Sequence, residues 1–318
     1  MKKITSIIIA LLGATGMQAQ TNINLKINHL LKDKSFAFNQ TAQNDLNNNF
    51  NVKRLEYYIS GISLIHDGGK VTNAKDVYIL VDAGKNELFS LGTMDVTNVE
   101  AINFAIGVSP NVNNADPSAW PNGHALAPKS PSMHWGWSAG YRFVALEGKS
   151  GKDVNFTFEI HALGNKNYFK QSIPTNATID NNEMTITLNA DYTQSIKGID
   201  VSSGLITHGE DDEAAYSLRN FQMNVFTSLD GKGNTLSVDN FKKPLQLNVY
   251  PNPNSGYFNI DLGHISINNA SYEILDITGK LIQSGNASEQ ITVTEKGIYF
   301  LTVVLESGNR ISKKICIQ

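Results

Sequence analysis

DVNFTFEIHALG, residues 153–164, decides how the middle of the chain folds. Apolar and polar residues alternate one for one through it. In extended backbone, successive side chains point to opposite faces. Val154, Phe156, Phe158 and Ile160 are therefore expected on one face, and Asn155, Thr157, Glu159 and His161 on the other. The apolar set builds a core and turns His161 away from it. An imidazole placed there either meets solvent or serves as a ligand, depending on what covers that face.

The same texture extends in both directions. INLKINHLL (23–31) and EMTITLNADY (183–192) alternate in the same way, and DVYILVDA (76–83) is a short apolar run of the kind that fills a buried strand. RLEYYISGISLIHDGG (54–69) predicts a strand, a bulge at Gly61 and a turn at Asp67-Gly68-Gly69. Only EAAYSLRNFQMNVF (213–226) has helical spacing, through Leu218, Phe221 and Val225. The expected fold class is all-β: a central β-sandwich-like domain with one short helix, then a small Ig-like β-sandwich at the C-terminus.

Composition narrows the function. The 318 residues carry 26 basic and 29 acidic side chains, a net charge of -3. That balance argues against a surface that tracks phosphates, so nucleic acid is not an expected partner. Hydrophobic residues make up 41%, enough for a packed core, and no run after the N-terminus is long enough to cross a membrane. Residues 1–19, MKKITSIIIALLGATGMQA, read as a signal peptide: Lys2 and Lys3, an apolar stretch from Ile7 to Leu12, and a small residue, Ala19, at the cleavage site for signal peptidase. The single cysteine, Cys316, cannot staple the chain internally, so burial, a metal or both must stabilise it. Near-neutral charge and the lack of heptads point to a monomer.

From about Leu245 the sequence changes character. LQLNVYPNPNSGYFNIDL (245–262) opens a region of short strands and frequent turns, assigned to 245–318, with 227–244 as linker and 20–226 as the central domain. VYPNPNSG (249–256), YEILDITGKLI (272–282) and GIYFLTVV (297–304), with the Lys313-Lys314 strand after them, closely resemble the type A C-terminal sorting domain of the type IX secretion system. The resemblance implies passage through that machinery, a secreted or cell-surface location, and removal of the domain at the surface.

The second segment of chemical interest is SPSMHWGWSAGYRF (130–143), which holds two of the three tryptophans. In extended backbone Met133, Trp135 and Trp137 share a face and His134 points the other way. Such an aromatic stripe is more often core packing than a ligand site. MHWGWSAGYRFVALEG (133–148) followed by FEIHALG (158–164) resembles the MbnP-like family of copper-associated periplasmic and secreted proteins. LEYYISGISLI (55–65), VYILVD (77–82), FAIGV (104–108) and THGEDDEAAYSLRNFQMNVF (207–226) agree with it. The resemblance implies copper, as Cu(I) or Cu(II), with His161 as a ligand and Trp135 or Trp137 as the residue oxidised to kynurenine by a di-haem partner enzyme. His134 and His208 are further candidate ligands, and Met133 a candidate thioether. His29 and His66 read as surface residues, His124 as a loop residue beside Trp120, and His264 as part of the sorting domain.

No G-x-S-x-G, H-E-x-x-H or phosphate-binding loop is present, so an enzyme is not expected. Asp82 and Glu159 read as isolated carboxylates, and Asp211, Asp212 and Glu213 suit a helix start. The alternatives are a surface adhesion or glycan-binding protein using Trp120 on the long loop 109–132, and a hydrolase without a recognised motif.

Overall fold

The computed structural model describes residues 20–236, 247–262, 267, 270–288, 290–305 and 310–318. The expected signal peptide, residues 237–244 of the linker and His264 lie outside the described residues. The chain divides into two compact units, 1–237 and 238–318.

The N-terminal unit is a two-sheet β-structure. Thr21–Leu31 is the centre of a five-stranded sheet, parallel to Glu183–Asp191 and antiparallel to Leu88–Met94, with Phe226–Ser228 on the far side of Glu183–Asp191. The nine-stranded sheet runs in the order Lys170–Thr178, Asn98–Ile106, Asn49–His66, Val144–Ser150, Phe156–Ala162 and Leu205–Gly209. Its last two strands are parallel, and three short strands also pair with Asn49–His66. Alternation places Ile23, Leu25 and Ile27 of the first sheet in one core with Leu55, Tyr57, Phe104, Phe158 and Ile160 of the second. The rings of Tyr57 and Phe104 meet Phe226 from across the core, the latter edge-to-face at 5.2 Å.

Pairing along the long strand Asn49–His66 shifts register at three places, and at two of them the extra residue is on the long strand itself. Val52 pairs with Gly148 but Arg54 with Glu147, so Lys53 and Arg54 together stand opposite one residue. This is a β-bulge, with one more residue on the long strand than on its partner. Phe50 and Val52 before it face the core, and Leu55, Tyr57 and Ile59 after it do the same. Opposite the bulge, Gly148 lets the strands close up: a Cβ there would fall 1.9 Å from the carbonyl oxygen of Asn51. The second irregularity lies between Ser60 and Ser63, where Gly61 has φ +63, as its sequence position predicts.

Several expectations are corrected. Val154 is not in the strand; it has φ +52 in a turn, the strand begins at Phe156, and Phe156 is half exposed. The helix spans Asp212–Asn220, continues as a wider π-type turn over Phe221–Val225, and gives way to a strand at Phe226. Residues beyond 226 stay attached to this unit, since Thr235 donates its backbone N–H to Ser172. His29 and His66 are buried, not on the surface. His29 Nδ1 lies 2.5 Å from the Tyr192 hydroxyl, and His66 is held between Asp67 and Thr72.

The turn after His66 rests on Asp67, whose carboxylate accepts from His66 Nδ1 and from the backbone N–H groups of Thr97 and Asn98. The Thr97 N–H and the His66 ring hold the Asp67 carboxyl down to about 2, below its ordinary 3.8. A depressed carboxyl contributes stability above its unfolded value and loses it as pH falls through the folded one. Asp67→Asn is expected to lower stability by about 1–2 kcal/mol at pH 7. The gap to wild type should close between about pH 4 and pH 2 in thermal melts.

The C-terminal unit has its own core, built on Phe258, Ile274, Leu301, Val303 and Ile315. Ser271–Asp276, Leu281–Asn286, Gly297–Val304 and Arg310–Ile317 form one antiparallel sheet. The YPNPN turn is tied to the final strand: Asn252 accepts from the Cys316 N–H and donates to the Lys314 carbonyl, and Asn254 N–H donates to the Cys316 carbonyl.

Candidate metal centre

The outer face of the nine-stranded sheet carries the site. Register fixes its membership: His161 lies beside His208 on the parallel edge strand, Glu159 lies across from Glu147, and Glu147 from Arg54. All five side chains therefore leave the sheet away from the core. The residues between them, Phe158, Ile160 and Leu146, point inward and are fully buried.

A loop covers this face. The chain from Met133 to Arg142 doubles back, with Arg142 N–H bonded to Met133 O, Trp135 N–H to Gly140 O and Gly140 N–H to Gly136 O. Its tip lays Trp135 edge-on against both imidazoles, with ring centroids 5.6 Å from His161 and 5.0 Å from His208. The two imidazoles stack at 4.5 Å, inclined by 14°. The Arg142 guanidinium sits 4.5 Å above the Trp135 ring, a cation–π contact. His161 is only 5% exposed as a result, while His208 opens to solvent.

Glu159, His161 and His208 each offer one donor atom, and the three atoms lie within 4.8 Å of one another. Glu159 Oε1 is 2.9 Å from His208 Nε2 and 3.4 Å from His161 Nδ1. His161 Nε2 is 2.8 Å from Glu147 Oε1, so that nitrogen is the one that donates. Nδ1 is buried and makes no hydrogen bond. In the neutral ring, its lone pair then faces a carboxylate oxygen with no hydrogen between them. A cation placed there removes that repulsion, which is the fit expected of a metal site. Hydrogen bonding by His161 and the adjacent Arg54 hold the Glu147 carboxyl down to about 2, against the opposing effect of burial. Arg142 is lowered, first by burial and then by Arg54.

His161, His208 and Trp135 come together as candidate site residues. His134 and Met133 do not join the converging set. Chain alternation turns His134 against Tyr141, 4.8 Å away, where it accepts from Gly136 N–H and lines a cavity of about 240 Å³ with Asp116 and Ser132. Burial lowers the His134 imidazole. Met133 is a core residue with its sulfur 3.3 Å from Arg54 Nη2. Trp137 is 69% exposed. Trp120 has one ring face covered by His124, stacked at 4.4 Å. Sequence reasoning missed Glu159 as a site residue, although its position two before His161 places it on the same face. It also missed Glu147 and Arg54, which only strand register brings to the site.

The model of the family described as MbnP matches residues 20–211. The model described as secretion system C-terminal sorting domain matches residues 248–318. Among solved structures the chain is similar to MbnP from Methylosinus trichosporium, at 17% sequence identity and a TM-score of 0.40, over 60% of this chain and 81% of that one. No curated protein matches.

Proposed function

Because the chain belongs to the MbnP family and carries a secretion-system sorting domain that marks it as secreted and attached to the cell surface, we propose that it is a surface copper-binding protein. Copper is held by His161 Nδ1, His208 Nε2 and Glu159. The observation that carries this reading is the buried, unpartnered Nδ1 of His161 facing Glu159. Two imidazoles and a carboxylate suit Cu(II), which favours mixed nitrogen and oxygen donors. The resemblance of the tryptophan segment to copper-associated proteins supports copper over other divalent ions. The protein acts by binding, not by catalysis. The sorting domain delivers it through the type IX secretion machinery.

Trp135, not Trp137, is the residue whose oxidation would alter the metal site, because Trp135 rests on both imidazoles. Conversion to kynurenine breaks the indole C2–C3 bond with dioxygen, or the equivalent in peroxide, as the oxidant. One oxygen becomes the C3 ketone, a second goes to C2 to give the N-formyl group, and water hydrolyses that group to release C2 as formate and free the amine. A partner enzyme of the di-haem class activates the oxidant. An aromatic amine then stands beside the imidazoles where indole has no free lone pair.

Two measurements on mature protein from its native host test this. Metal analysis should find about one copper per chain, a stoichiometry set by the one converging donor set among the described residues. Protein without copper, and without affinity in a competition titration, overturns the reading. Peptide mass spectrometry should place any mass change on Trp135. A change on Trp137 alone overturns the assignment of the modified residue.

A further inference from the structure

Glu147 lies beside the donor set and is not part of it. Its Oε1 receives two hydrogen bonds, from His161 Nε2 at 2.8 Å and from Arg54 Nη1 at 2.7 Å. Arg54 is itself fixed by Nε on Glu56 Oε2 at 2.6 Å. An ionised carboxylate only accepts, so the ring nitrogen that faces it carries a proton. A neutral imidazole has one protonated nitrogen, which leaves the lone pair on Nδ1. The opposite tautomer would set a lone pair against Glu147 and point an N–H into the space between Glu159 and His208.

We propose that Glu147 is the positioning residue that selects Nδ1 of His161 as the metal-binding nitrogen, and that Arg54 holds Glu147 in place to do so; the inference rests on the reading of Glu159, His161 and His208 as the metal site. Two donors on one oxygen limit rotation of the carboxyl. The guanidinium also offsets its charge, so Glu147 does not compete for the cation. Carboxylates that orient a ligating histidine from behind generally change metal affinity by about 10–100-fold when removed.

The test uses the full mature protein, Cu(II) alone as probe, and nitrogen NMR of the His161 ring in metal-free protein. Glu147→Leu should weaken Cu(II) binding by about 10–100-fold and turn the single His161 tautomer into a mixture. Glu147→Gln, whose amide oxygen still accepts from Nε2–H, should keep the tautomer and stay within roughly threefold of wild type. Arg54→Met should weaken binding by several-fold, and it serves as the decisive variant if Glu147→Leu does not fold. A purely structural role would lower the melting temperature and leave the tautomer unchanged. An unaltered tautomer, or binding within about twofold of wild type in the folded variant, overturns the proposal. Failure of the wild type to bind Cu(II), or wild-type binding by His161→Ala, instead overturns the metal reading itself, and the inference with it.

Discussion

His161→Ala is expected to weaken copper binding by at least about a hundredfold, since removal of a group behind a ligand already costs about 10–100-fold and here the ligand itself is lost. The imidazole supplies the only buried donor of the three; Glu159 and His208 both reach solvent. Its loss also leaves Glu147 with Arg54 as its remaining partner and removes the ring on which His208 stacks and Trp135 rests. His208→Ala tests the same set from its exposed side and should disturb folding less. The measurement is a Cu(II) titration together with metal content after purification. Copper retained at wild-type stoichiometry and affinity in His161→Ala would remove the site from this part of the sheet.

Gly148→Ala is the substitution with the largest expected effect on folding. Its Cβ would lie 1.9 Å from the Asn51 carbonyl oxygen and 2.6 Å from the Phe158 ring. The first obstacle is backbone in a paired strand, and the second is a fully buried ring in edge-to-face contact with Phe50. The first does not yield without parting Asn49–His66 from Val144–Ser150. Overpacking usually costs 1–3 kcal/mol, and a rigid backbone obstacle belongs at or above that limit, so about 3 kcal/mol or more is expected. The strand that would part carries Glu147, so copper affinity should fall with stability. A urea unfolding midpoint equal to that of the wild type would show that the strands can separate at little cost.

The fold was legible wherever pattern and period coincide. Alternation in INLKINHLL and FTFEIHA places Ile23, Leu25, Phe158 and Ile160 in the core and turns His161 outward, as the structure does. It overreached at Val154, because a turn holds that residue at φ +52 and the strand begins only at Phe156, after the apolar pattern has begun. The tryptophan pair was visible as an anomaly, and alternation separated His134 from Trp135. That Trp135 covers His161 depends on a loop folding back over a sheet, which no local rule specifies. His29 and His66 were misread because hydrogen bonds to Tyr192, Asp67 and Thr72 make burial of an imidazole tolerable, and those partners are set by tertiary structure. Glu147 and Arg54 are 93 residues apart in sequence and meet only through register.

The extra residue opposite Glu147 has a consequence for length variation. Because Lys53 and Arg54 both face outward between Val52 and Leu55, a chain shortened by one at Lys53 would keep Phe50 and Val52 inside, Leu55 and Tyr57 inside, and Arg54 across from Glu147. Loss of a residue from the regular stretch just beyond it would invert one half of the strand against the other and send an apolar row into water. Single-residue gaps among relatives should therefore be tolerated at this position, where the clamp on the imidazole survives them.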